Sequence, residues 1–248
     1  MIFIRITGIF LTAPFLRSEA IPPHVKIMFS VILAIIVNSA LWDQQPTLEF
    51  HLWNLVFIVF KEFLVGMLIG FAANTVFYAA RMAGGLVDQD MGFQTATIFD
   101  RSNSTPTIVG EIKELAALLI FLFLNGHHYM IEGLFLSVKA IPLTTMEVTD
   151  STMLLLAKMS TSVIILSIKM ASPVLISLFL TNLSLALLAR VAPQTNIFIL
   201  SFQVKVTVGL IVLMTAMPLF IYVAKIALSG FQENLYTFIM TLYPDRVY

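Results

Sequence analysis

An all-α, membrane-associated fold is predicted by three observations. The chain of 248 residues is 59% hydrophobic and only 11% charged, with 21 Phe and a mean hydropathy of +0.95; soluble domains carry roughly 25% charged residues. No stretch alternates apolar and polar residues as a membrane barrel would. Helices are the other architecture that satisfies every backbone N–H and C=O in lipid, and proline, glycine and polar clusters cut the apolar sequence into helix-sized pieces.

The elements follow in order. A short first helix stops near Pro14, and Pro22-Pro23 opens a second that runs to about Trp42. "DQQPTLEF" (Asp43 to Phe50) reads as a loop. A long helix from about His51 to Met82 is expected to close at Gly84-Gly85, followed by the polar stretch "DQDMGFQTATIFDRSNSTP" from Asp88 to Pro106. The next helix runs from about Ile108 to Leu124, "NGHHY" breaks or bends it, and another segment ends at Pro142. After "PLTTMEVTD" the helices run from about Ser151 to Met170, kinking at Pro173, then to Arg190. The last runs from Asn196 to Met217 and past Pro218 to Tyr243, with "VAPQTN" as the turn between them.

Charge and composition exclude several functions. Formal net charge is zero and no basic run is present, so nucleic acid is not an expected partner. The absence of cysteine excludes disulfides and thiol chemistry. The N-terminal apolar run is broken by Arg5 and lacks a small-residue cleavage pattern, so it is expected to be retained rather than cleaved as a signal. No HExxH, GxSxG or P-loop pattern occurs, and an enzyme has no residues to stand on.

Charges inside the apolar helices, Lys61, Glu62, Lys169, Arg190 and Lys205, each cost on the order of 2.5–3.5 kcal/mol at a bilayer centre. Charge-free runs such as Ile27–Trp42 and Val191–Val204 fall short of the roughly 20 residues of a span. Helices packed largely against other protein, with charges paired across helix contacts, satisfy both observations. Gly66-x-x-x-Gly70 lets another helix approach closely. Ser177, Thr181 and Ser184 share a helix face and are read as helix–helix hydrogen-bonding groups, a pore wall being the alternative. Asp88 and Asp90 are read as a solvated loop edge rather than a metal or acid–base pair. His127 and His128 are adjacent and would point about 100° apart, poorly placed to share an ion; no metal or cofactor is expected. Glu111 and Glu114 complement a helix dipole. A multipass secondary transporter with its site at broken helices around Pro173 and Pro218 stays open at this point.

The ordered motifs "RITGIFLTAPFL", "AIPPHVKI", "KEFLVGMLIGF", "RMAGGLVDQDMGFQTATIFD", "LFLNGHHYMI" and "ASPVLISLFLTNLSLALLARVAPQTNIFILSF" carry a resemblance over nearly the whole chain. It resembles the FliR/SctT family of type III export gate proteins, the flagellar branch in particular. The resemblance implies a FliP-like part (1–145) followed by a FliQ-like helical hairpin part (146–248), packed in a funnel-shaped hetero-oligomer. Implied partners are FliP, FliQ, FlhB and FlhA type proteins and the inner membrane at the flagellar basal body, with exported flagellar proteins as cargo. It further implies a plug loop at Asp100, Arg101, Ser102, Asn103, Ser104, Thr105, Pro106 and Thr107, where "RSNST" departs from the more usual glycine-containing version. Helix-packing or inter-subunit roles fall on Lys61, Glu62, Gly66, Gly70, Arg81, Arg190, Pro193 and Gln194.

Overall fold

The computed structural model describes residues 1–13, 22–41, 52–94, 107–141, 143, 150–194 and 196–242. Among the described residues the secondary structure is helical, without strands: α1 (Ile2–Thr12), α2 (Pro23–Leu41), α3 (Leu52–Met91), α4 (Ile108–Phe123), α5 (Gly126–Ala140), α6 (Asp150–Val191), α7 (Ile197–Ser229) and α8 (Phe231–Thr241). Among the described residues four stretches are long and apolar enough to cross a membrane: Pro23–Leu41, Leu55–Met91, Asp150–Val191 and Ile197–Thr241. The expected shortness of the charge-free runs therefore did not carry over to the helices. They continue through their embedded charges.

Local chemistry explains most boundaries. Pro23 opens α2, where its missing N–H has no intrahelical acceptor to lose. Asn125 separates α4 from α5 with φ 57, a left-handed conformation that asparagine tolerates. Gly92, at φ 88, ends α3 and returns its N–H to the Asp88 carbonyl at 3.1 Å.

Two boundaries differ from the sequence reading. First, α3 does not stop at Met82 but runs through Gly84-Gly85 to Met91, so the polar stretch begins inside the helix. A glycine in a helix interior costs about 1 kcal/mol relative to alanine, which weakens a helix without ending it. Second, the last helical stretch divides at Gly230 into α7 and α8 instead of running on to Tyr243. Pro173 and Pro218 both lie within continuous helices. Pro173 deprives the Lys169 carbonyl of its helical donor, and the Ser172 hydroxyl donates to that carbonyl at 3.0 Å.

The chain forms two compact units. The first comprises 1–75, 121–161 and 228–248. In it α1 packs on α2, α2 touches α5, and α5 packs on α8. Its core gathers Ile6, Ile9, Val65, Ile69, Val138, Phe238 and Ile239, all buried. Phe121 meets Phe231 edge-on at 5.4 Å between ring centroids, and Phe10 stacks on Phe29 at 5.7 Å. An apolar cavity of about 300 Å³ lies among Ile6, Phe10, Leu33, Phe121 and Leu134.

The second unit comprises 76–120 and 162–227. Its core is built on small residues of α3 (Ala79, Ala80, Ala83) together with Val109 and Ala117 of α4, Met170, Val174 and Leu178 of α6, and Phe220 and Ala224 of α7. Lys113 touches both Met170 and Phe220, residues nearly equidistant in sequence from the Pro193-Gln194 turn. That brings the middle of α6 and the second half of α7 to the same side chain.

Candidate functional site at the foot of the α3–α4 connection

The end of α3 and the start of α4 meet in the second unit, and glycine makes the meeting possible. A Cβ on Gly84 would collide with the Gly110 backbone, so the two helices touch main chain to main chain. One turn further along α3, Asp88 is fully buried. Its carboxylate accepts the Val109 N–H at 3.1–3.2 Å and the Gly110 N–H at 3.4 Å. These are donors of the first turn of α4, which have no partner within their own helix. A carboxylate at a helix N-terminus also complements the positive end of the dipole. Asp88 therefore caps a helix to which it does not belong.

One turn deeper along α4 lies Lys113, 3% exposed. Its ammonium donates to the Met170 carbonyl at 3.0 Å and sits 5.3 Å from the centroid of the Phe220 ring. Burial lowers its pKa from the ordinary 10.5 to about 8, against the opposing pull of the Asp88 charge. On the rim, Arg81 pairs with Glu114 at 3.3 Å. The Thr107 hydroxyl is buried at the same foot, with no hydrogen-bond partner among the described residues.

A second polar cluster braces the first unit. Arg5 of α1 is fully buried; its Nε donates to Glu62 of α3 at 2.7 Å. Its Nη1 donates to the Ser137 carbonyl at 2.8 Å, and both Nη atoms donate to the Ile141 carbonyl at 3.1 and 3.2 Å. Gly8 and Gly66 permit this closeness, since a Cβ on Gly8 would lie 2.6 Å from the Phe63 carbonyl oxygen. Gly70 likewise faces Ile9 and Thr12, and the Asn74 amide donates to the Thr12 carbonyl at 2.9 Å.

The structure distributes the sequence-derived candidates unevenly. Asp100–Pro106 lie outside the described residues, and Thr107 is half-buried beside α4. Lys61 is exposed while its neighbour Glu62 is buried on Arg5. Gly66 and Gly70 face α1 of the same chain. Arg190, Pro193 and Gln194 are exposed around the α6–α7 turn.

Two readings are corrected. Asp88 is not a solvated loop edge, because the glycine contact draws the end of α3 inside and the N-terminus of α4 supplies it with donors. The hydroxyls of Ser177, Thr181 and Ser184 do not bridge helices: each donates to the carbonyl four residues earlier in α6. The His127 and His128 rings lie 4.2 Å apart, and no cluster of three potential metal ligands occurs among the described residues.

Lys113 was the functional-looking group missed from sequence, whereas Arg5 was noted only as a break in the apolar run and as part of the N-terminal motif. The signal for Lys113 was present: it interrupts the buried stripe of Val109 and Ala117 at intervals of four.

The sequence model for bacterial export proteins, family 1, matches residues 1–230. The flagellar biosynthetic protein FliR of Bacillus subtilis (strain 168) is 31% identical over 91% of this chain and 88% of its own length. FliR of Escherichia coli (strain K12) is 29% identical over 98% and 90%. The surface presentation of antigens protein SpaR of Shigella sonnei is 28% identical over 82% and 78%. With the match covering nearly the whole all-helical chain, the protein belongs to the bacterial export proteins, family 1.

Proposed function

We propose that this protein is a subunit of the core export gate of the flagellar type III secretion system, where it forms part of the channel entrance. It acts there as a structural transport component, not an enzyme, at the bacterial inner membrane in the flagellar basal body. Its partners are FliP, FliQ, FlhB and FlhA type proteins, with exported flagellar proteins passing as cargo. The division into a FliP-like 1–145 and a FliQ-like 146–248 belongs to the same reading.

Family membership supports the assignment. So does the surface. Large apolar side chains such as Phe57, Phe179, Leu187, Phe198 and Met214 are more than half exposed, an area that lipid or other subunits would cover.

Within this reading, Asp100–Thr107 serves as a plug that helps to close the channel. The observation that carries it is the foot: Asp88, Val109 and Gly110 fasten the helices on either side of this polar segment to each other. A segment that leaves and rejoins a fixed foot can be changed without disturbing the packed core beneath it. Deleting Arg101–Thr105 in the assembled gate is expected to raise ion leakage and to alter secretion. A membrane that stays tight would rule out the plug.

A further inference from the structure

The foot of the α3–α4 connection and the proline-bearing stretches of α6 and α7 share one side chain. Lys113 reaches from α4 to the Met170 carbonyl, three residues before Pro173, and covers Phe220, two residues after Pro218. Each proline leaves its helix one hydrogen bond short, at the carbonyl four residues before it, and these are the points where α6 and α7 bend most easily. At the other end, Lys113 stands one turn from Gly110, whose N–H is held with that of Val109 by Asp88. Every one of these groups lies in the second compact unit.

We propose that Lys113 is a latch joining the proline-bearing midpoints of α6 and α7 to the first turns of α4, and through Asp88 to the end of α3, so that these four segments move as one body. The physical reason is the scarcity of alternatives. A buried ammonium stripped of water must keep its acceptor, and the acceptor it has chosen is the carbonyl beside the weak point of α6. Bending α6 at Pro173 away from α4 breaks that bond and leaves a buried charge without its acceptor. The Phe220 ring face supplies a second attraction that is lost if α7 bends away. Lys113 therefore acts as a positioning residue: it acts through Met170 and Phe220 on helices that it does not belong to. The latch concerns the anchoring helices and holds whether or not the connection between them plugs a channel. Deletion of Arg101–Thr105 tests the plug and leaves the latch intact.

Hydrogen exchange on the full chain in its native membrane complex, solubilised in detergent, tests the latch. The Lys113→Met variant keeps side-chain bulk and is expected to speed exchange on the order of tenfold or more around Val174 of α6 and Phe220 of α7, as loss of a hydrogen bond from a charged donor implies. Asp88→Asn, whose carboxylate bonds to α4, is expected to speed exchange at the same two places, and the acceleration in the double variant is expected to fall short of the product of the two single effects. Lys169→Met, removing an exposed cation beside Met170, is the control and should leave Val174 unchanged. Faster exchange confined to α4 in Lys113→Met, or independent multiplying effects of the two substitutions at Val174, would overturn the latch. Should Lys113→Met fail to accumulate, Phe220→Leu provides the second reading, with faster exchange at Val174 expected and no change there counting against the proposal.

Discussion

Arg5 on α1 and Glu62 on α3, 57 positions apart, share a charge-assisted hydrogen bond of 2.7 Å in which neither side chain is more than 1% exposed. Such a pair contributes little net stability when intact, because desolvation opposes its attraction, but losing one partner strands the other. Glu62→Gln is expected to destabilise the chain by roughly 3–5 kcal/mol. Replacing both, with Arg5→Met and Glu62→Met, should be milder than either single change. Denaturant titration of Glu62→Gln, of the two single methionine variants and of the double variant in the same detergent measures the order.

Two adjacent glycines make opposite forecasts. A Cβ at Gly84 meets the Gly110 backbone, whereas at Gly85 the nearest atom is a Thr107 methyl at 3.6 Å. Gly84→Ala must push α4 from α3 and should cost about 1–3 kcal/mol. Gly85→Ala removes a helix-weakening glycine without a clash and should gain up to about 1 kcal/mol. Thermal unfolding of the two variants side by side tests the sign of each.

Lys113 gives stability a dependence on pH. Its pKa falls from 10.5 when unfolded to about 8 in place. Between those values the unfolded chain holds the additional proton, so stability rises with pH across the window. Below pH 8 the buried ammonium costs roughly 3 kcal/mol. Lys113→Met should flatten the rise between pH 8 and 10.5. Denaturation midpoints over that range are the measurement.

Arg190 is exposed in the last turn of α6, where its charge complements the negative end of the helix dipole. Arg190→Glu should lower the stability of the isolated chain by no more than about 1 kcal/mol, yet impair assembly with the other gate subunits. Co-purification together with an unfolding curve separates the two effects. A fully assembled complex with normal export would exclude an inter-subunit role.

Legibility in the sequence tracked the range of the forces involved. Helix existence was readable because proline, asparagine and polar clusters act locally: Pro23 opened α2, and Asn125 broke the chain between α4 and α5 where "NGHHY" had marked it. Gly84 misled for the opposite reason. Its local propensity says stop, while its purpose is contact with Gly110, 26 positions away in the sequence and invisible to any window. Asp88 looked like a loop acid because its neighbours are polar; only the arrival of α4 turns it into a cap. Arg5 was visible as an interruption of an apolar run, but its acceptors, the Ser137 and Ile141 carbonyls, are backbone atoms that every residue carries and no side-chain pattern can mark.

Those two acceptors set a timetable for biosynthesis. Ser137 and Ile141 follow Arg5 by 132 and 136 positions. At translation rates of about 5–20 residues per second, the guanidinium waits roughly 7–27 s before its carbonyl partners exist. The packing of α1 is accordingly completed only after α5 has been made, and until then Glu62 is the one of these partners that its arginine can have.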